Sequence, residues 1–428
     1  MGKRLYVTTE CYPRPGAPHH CAFAHRQLVG TVEAGWDVSV GVPNGWYPPV
    51  VWRVARAWRH EKALSIPPHW TMEGIPVRDL RYENRVPSRW FNRPIRERIA
   101  VAAAREARSR RADVLMVQFA LPYGAAIADA ARLTGLPYVV QLRGDDVWIW
   151  PHRSPESLSA FRDCVLRATL VTGVCRALLR EAERVAGASL GAVAVIPNGI
   201  DLNRFRPARD EAERTSVRSA LKLEERDFVI ICAGDTIVRK GWLDLLDALG
   251  SIEPPAPGTR IVLLGAAQSE VTEFDLHAEA RRRAPHVAVR LERGLTGAEL
   301  AVRYRAADLF CLPSHWEGLS NALLEAMASG LAPITTAVSG HPEVVTHGVD
   351  GWLVEAKHVD ELREALREAV RSPEARASIG RAARARAEGV GTSTRTGRRL
   401  AAYLDAVRDG TVQEMADVDP YARVLAAV

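Results

Sequence analysis

The chain has 428 residues, too many for one ordinary hydrophobic core, so two domains are expected. It is 47% hydrophobic and 25% charged, a globular composition, and no apolar run is long enough to span a bilayer. The net charge of +6 and a pI near 9.1 suit an anionic ligand or membrane surface and do not argue for nucleic acid. The N-terminus enters a strand-like run with no apolar leader, so no signal peptide is read. Six cysteines (Cys11, Cys21, Cys164, Cys175, Cys232, Cys311) show neither CxxC nor metal-ligand spacing. They read as small core residues in a reducing cytosol, and no metal site is expected.

In chain order, "RLYVTT", "DVSVGV", "DVLMVQF", "PYVVQL", "TLVTGV" and "VAVIP" read as strands of a first half. "DFVIICAG", "TRIVLLG", "VAVRL", "DLFCLP" and "APITT" read as strands of a second. Helical stretches separate them, which implies two parallel, doubly wound sheets covered on both faces. The turn Pro197-Asn198-Gly199 and the charged stretch after it mark the break. The expected domains are therefore 1–205, 206–398 and an amphipathic helical tail, 399–428.

Residues 44–98 interrupt this rhythm as an insertion, with Trp46, Trp52, Trp58, Trp70 and Trp90 and four prolines. Drawn as a helix, "VVWRVARAWRHEK" puts Val50, Val51, Val54 and Trp58 on one side and Arg53, Arg56 and Arg59 on the other. Such a helix, about 46–62, would either lie on an anionic membrane surface or pack as a layer on the first domain with snorkelling arginines.

The stretch "SHWEGLSNALLEAMASGLAP" carries the chemistry. Ser320 or Asn321 should cap a helix that Gly330 ends. Its apolar residues point nearly all round, so it should be buried, yet Asn321, Glu325 and Ser329 form a polar line along it. A buried carboxylate needs a partner. A strand feeds the turn before it, so the backbone N–H groups of Gly318, Leu319, Ser320 and Asn321 make a plausible phosphate cradle. Glu317 should then face a neutral or cationic part of the ligand, such as a sugar.

This block resembles the E-x7-E region of GT-B fold glycosyltransferases of the large retaining family 4. "VIPNGIDLNRFRP", "KGWLDLLDAL", "YVVQLRGDDV" and "CYPRPGAPHHCAFAHRQLVGTVEAGWDVSVGVP" resemble further segments of the same family. Nearly the whole chain is covered except the insertion. The resemblance implies two Rossmann-like domains facing across a cleft, with the C-terminal helix returning to the first. It implies hexose transfer from a nucleoside-diphosphate sugar, UDP- or GDP-linked, to an acceptor hydroxyl with retention and without a metal or other cofactor. Glu317 would meet the donor sugar, Glu325 the ribose, and Gly318 to Asn321 the diphosphate. Lys240, with Arg239 beside it, would neutralise the leaving diphosphate, and Gly234 and Arg293 would lie at donor-facing strand ends. Arg143 and Asp146 match the HG-x-D turn and Gly16 the first phosphate loop.

The sequence departs from the family pattern at four places. Asp235 stands where an arginine is usual, Arg143 where a histidine is, Gln118 where a histidine often is, and Ala17 follows Gly16 where a glycine pair is common. The acceptor would be a glycan, a lipid-linked sugar or a small molecule, not a nucleic acid. The enzyme would be cytoplasmic, with peripheral contact at the inner face of the plasma membrane if the insertion helix binds lipid. A GT-B phosphorylase and a non-catalytic nucleotide-binding subunit are the alternatives. Of the remaining candidates, Asp145 and Asp146 read as a turn and N-cap pair, and His315 either faces the site from its turn or is solvated. His341 reads as a helix cap. One of His19, His20 and His25 would face a phosphate or acceptor; otherwise they lie on a helix surface.

Overall fold

The computed structural model describes residues 2–17, 21–46, 66–83, 93–267 and 272–416. The chain divides into two compact units, the first running to Gly199 and resuming at Ser393, the second spanning Ile200–Thr392.

Unit 1 holds an eight-stranded sheet: β1 (Lys3–Thr8), β2 (Trp36–Trp46), β3 (His69–Met72), β4 (Ile75–Glu83), β5 (Val114–Gln118), β6 (Tyr138–Leu142), β7 (Leu170–Gly173) and β8 (Val193–Val195). Its order is β3-β4-β2-β1-β5-β6-β7-β8. Every pairing is parallel except β3 with β4. β5 and β6 are buried along their whole length, as strands covered on both faces must be. The β3–β4 hairpin falls inside the insertion, where only a loop-and-helix layer or a membrane helix was expected. Its antiparallel edge strand alternates exposed and half-buried positions, so one face meets water. The amphipathic helix expected over about 46–62 lies almost wholly outside the described residues.

Unit 2 is a six-stranded, all-parallel sheet in the order β11-β10-β9-β12-β13-β14. Its strands are β9 (Phe228–Ala233), β10 (Ile261–Ala267), β11 (Ala288–Arg293), β12 (Leu309–Leu312), β13 (Pro333–Thr336) and β14 (Trp352–Val354). β14 is too short to stand out in the sequence.

The helix Ser393–Asp409 belongs to unit 1 and packs on the helix Ala22–Glu33. The contact is glycine on glycine. A Cβ on Gly30 would meet Thr394 Cα at 2.8 Å, and one on Gly397 would meet Gly30 Cα at 2.6 Å. Leu400, Tyr403, Leu404 and Val407 from the same helix join the main core of unit 1.

Candidate active site

In unit 2 the carboxyl ends of β9 and β12 lie side by side, and the turns that follow carry the charged groups. After β9, Gly234 has φ 148 and sits so close to Lys240 that a Cβ would meet its Cε at 3.2 Å. Lys240 ends a short 3-10 turn, Val238–Lys240. Gly241 follows with φ 71, and any Cβ there would stand 1.9 Å from the carbonyl oxygen of Pro313. Only glycine lets the turn press this closely on the end of β12. Trp242 then opens the helix Trp242–Leu249, fully buried, and its indole N–H donates to the carbonyl of Asp235 at 3.0 Å.

After β12, Ser314 donates its hydroxyl to Glu317 Oε1 at 2.9 Å. The same oxygen takes Lys240 Nζ at 2.5 Å, and Arg239 Nη1 stands 3.8 Å from Oε2. Burial pushes the Glu317 carboxyl up, but Lys240 and Arg239 overcome it and hold it at about 2. Glu317 is thus a buried carboxylate between two cations.

Two histidines frame this pair. His315 is not solvated: its side chain is 11% exposed and its Nε2 pairs with Asp244 Oδ2 at 2.8 Å. Its backbone N–H donates to the carbonyl of Arg239 at 2.7 Å, tying the two turns together. His341 caps no helix. It is fully buried, with Nδ1 2.9 Å from Thr335 Oγ1 and 3.1 Å from the Thr336 carbonyl. Thr335 donates its hydroxyl to the Leu312 carbonyl, so it can only accept from His341. The proton therefore sits on Nδ1, and Nε2 is a bare lone pair with no partner among the described residues. Burial lowers the imidazole to about 4, against the pull of Glu317.

The helix Asn321–Ala328 begins where the sequence places it, with the Ser320 hydroxyl accepting from the Leu323 N–H. Gly330 follows its C-cap with φ 77. Gly318, Leu319 and Ser320 are buried, and the Gly318 carbonyl accepts from Gly340 N–H at 3.0 Å. Asn321 and Glu325 are only half-buried, so the Glu325 carboxylate stays at the surface of a helix whose other faces are covered. The expectation that this helix is buried all round, with Glu325 inside it, is corrected. Ser329 turns its hydroxyl back to the Glu325 carbonyl. Arg293, at the end of β11, donates to Thr236 Oγ1 at 3.2 Å.

Arg143, Asp146 and Gly16 are in unit 1. Gly16 is exposed, with φ 80, in a tight turn closed between Arg14 and Ala17. The residues after it, 18–20, with His19 and His20, lie outside the described residues. His25 is buried, its Nδ1 2.7 Å from the Tyr12 hydroxyl. The Asp146 carboxylate is fully buried and accepts from the backbone N–H groups of Ala120, Arg143 and Gly144 at 2.8, 3.0 and 2.8 Å. It staples the turn after β6. The Arg143 guanidinium donates to the amide oxygens of Asn198, Gln27 (2.9 Å) and Gln141 (2.7 Å), and stands over the Phe23 ring. Sequence reasoning missed Gln27, Gln141 and Asn198. Gln27 lay on an unremarkable helix face and Asn198 read only as a turn. Cys11 and Cys21, expected as separate small residues, are joined in a disulfide with Cα atoms 5.4 Å apart.

Comparison with known proteins places these two halves. The model "Glycosyltransferase Family 4" matches residues 23–204 and "Glycosyl transferases group 1" matches 213–386. The chain is 28% identical over 340 residues to a putative teichuronic acid biosynthesis glycosyltransferase of Bacillus subtilis, covering 79% of this chain and 82% of that one. It is 29% identical over 317 residues to a GDP-mannose-dependent monoacylated alpha-(1-6)-phosphatidylinositol monomannoside mannosyltransferase of Corynebacterium glutamicum, covering 72% and 80%. Among solved structures, sucrose-phosphate synthase from Thermosynechococcus elongatus superposes with a TM-score of 0.73 at 17% identity, covering 95% of this chain and 100% of that one. Anabaena HepE in complex with UDP-glucose gives 0.70 at 19%, covering 95% and 100%. With the GT-B fold around both matched domains, the chain is a glycosyltransferase whose first half matches the family 4 model and whose second half matches the group 1 model.

Proposed function

We propose that this enzyme moves a hexose from a nucleoside-diphosphate sugar to an acceptor hydroxyl with retention at the anomeric carbon. The observation that carries this reading is the largely buried Lys240–Glu317–Arg239 cluster in the turns after adjoining strand ends. An arriving diphosphate competes with Glu317 for Lys240 and Arg239, because it offers more negative charge to the same cations. Glu317, released from them, becomes free to accept hydrogen bonds from the donor sugar's hydroxyls. As the sugar–phosphate bond breaks, Lys240 meets the charge growing on the leaving diphosphate, a preorganised stabilisation that needs no solvent reorganisation. The amides of Gly318 to Asn321 add the dipole of the helix start. The half-buried Glu325 accepts from the ribose hydroxyls, with Gly234 and Arg293 on the donor side.

Support for a nucleotide-linked donor also comes from relatives named for GDP-mannose and from a fold neighbour solved with UDP-glucose. On this reading unit 1 takes the acceptor, with Arg143, Asp146 and Gly16 on that side, and the acceptor is a glycan, a lipid-linked sugar or a small molecule. The reading includes cytoplasmic action and peripheral contact with the inner membrane face through about 46–62. No helix among the described residues is long and apolar enough to cross a membrane.

Calorimetric titration with UDP, GDP, ADP and dTDP tests the donor. One nucleotide should bind clearly, and Glu325→Ala should weaken it by about 1.5–3 kcal/mol, a lost charged hydrogen bond. No binding by any of the four would sink the proposal.

A further inference from the structure

The carboxyl edge of the unit 1 sheet holds a concentration of buried polar atoms without partners. β1, β5 and β6 are neighbours there, with Thr8 opposite Val117 and Gln118 opposite Gln141. Among the described residues Thr8 Oγ1, Gln118 Oε1, Gln141 Nε2, Gln27 Nε2 and Arg143 Nε all lack a hydrogen-bond partner. Thr8, Gln27, Gln118 and Gln141 are each at most 1% exposed. A folded protein keeps few such groups, and each needs a reason. Three at adjoining strand ends (Thr8, Gln118, Gln141), one in the turn after β6 (Arg143) and one on the helix Ala22–Glu33 (Gln27) meet where doubly wound sheets bind ligands, and share one reason.

The amide orientations are not arbitrary. Arg143 can only donate, so Gln27 and Gln141 must turn their oxygens toward it. Their NH2 groups then remain as donors one amide width from the same guanidinium. Together with Arg143 Nε they form three unspent donors around one cation.

That cation has no ion-pair partner among the described residues; the one charge that favours it is the carboxylate of Asp146, which does not reach its guanidinium with a hydrogen bond. Its hydrogen bonds go to three neutral amide oxygens, and among the described residues no carboxylate forms an ion pair with it. Asp146, the neighbouring carboxylate, is spent on three backbone N–H groups. Glu10 does not supply a charge either, since burial and Asp146 push its carboxyl up to about 8. Burial lowers the guanidinium to about 9, against the pull of Asp146, so its positive charge is desolvated and only partly offset. As a residue Arg143 is half-buried, whereas its Nε lies below the surface. Water could satisfy the amides, but it cannot balance the charge.

We propose that this edge of unit 1 receives an acceptor bearing an anionic group, a carboxylate or a phosphate, with the Arg143 guanidinium as counter-charge and the amides of Gln27 and Gln141 as further donors. The proposal rests on the transferase reading, in which unit 1 takes the acceptor.

The test uses the full chain with Lys240→Met, which removes the nearer of the two donor-side cations. Glucose 6-phosphate, glucuronate and glucose are titrated calorimetrically. At least one charged sugar should bind tenfold or more tightly than glucose, and which one does so separates phosphate from carboxylate. Adding Arg143→Gln should abolish the preference with little change in melting temperature. Equal or undetectable binding of all three overturns the proposal, and so does a preference that survives Arg143→Gln. If that variant does not fold, Arg143→Lys should keep a reduced preference that shrinks as KCl rises from about 50 to 500 mM. A preference absent at low salt, or indifferent to salt, overturns it equally. Nucleotide titration of Arg143→Gln with Lys240 intact keeps the donor question separate. Nucleotide binding without an anion preference sinks this proposal and spares the donor reading.

Discussion

Lys240 and Glu317 lie 77 positions apart in the chain, yet meet in one buried ion pair because β9 and β12 are neighbours in the sheet. Neither charge is comfortable alone. The Lys240 side chain is 14% exposed and that of Glu317 10%, so each depends on the other until a ligand intervenes.

Lys240→Met should therefore damage both stability and turnover. Leaving Glu317 buried beside the more distant Arg239 should cost about 3 kcal/mol in chemical denaturation. Transfer from the donor should fall about a hundred- to a thousandfold in kcat. Lys240→Met combined with Glu317→Gln should recover most of the stability and none of the turnover. Recovery of both would show that the pair is structural only.

His341 and Glu317 should give the acid unfolding of the enzyme two separate windows. The folded His341 resists protonation until about pH 4, whereas an ordinary histidine takes up its proton near 6.5. Between those values the unfolded chain binds more protons, so stability falls as pH drops, by about 3 kcal/mol in all. Glu317 acts lower. Its folded value of about 2 lies below the ordinary 4.5, so its contribution is present above 4.5 and is lost as pH falls toward 2. Denaturation midpoints measured from pH 7 to 4 should slope for the wild type and flatten for His341→Gln. An equal slope in both would place the loss elsewhere.

Glycine positions give a third prediction. Gly241→Ala must resolve a 1.9 Å approach to Pro313 and hold alanine at φ 71, so the turn carrying Arg239 and Lys240 should move. Nucleotide affinity should drop at least tenfold along with the melting temperature. Gly397→Ala opens the helix contact in unit 1 and should cost about 1–3 kcal/mol, with nucleotide affinity unchanged. Retained nucleotide affinity in Gly241→Ala would show that the turn tolerates the displacement.

Much of the sheet was legible because strands covered on both faces leave unbroken apolar runs, as "FVIICA" and "IVLLGAA" do. The helix Asn321–Ala328 was legible from its cap and its terminal glycine. The β3–β4 hairpin was not, because Trp70 and Pro76, in a stretch rich in tryptophan and proline, hide the alternation of an edge strand. Side-chain partnerships were the least legible. Nothing in the spacing of Asp244 and His315, or of Gln27, Gln141 and Arg143, shows that the sheet order joins them. The Cys11–Cys21 bond was missed for a similar reason, since a separation of 10 positions does not reveal a turn that doubles back.

The helix Ser393–Asp409 completes the core of unit 1 only after the whole of unit 2 has been made. On the ribosome, the first unit must wait with Leu28 and its neighbours facing water while nearly two hundred residues of the second emerge. Unit 2, contiguous in the chain, can finish first. The order of synthesis and the order of folding are thus reversed, and the nascent first half is the part of this enzyme most in need of a chaperone.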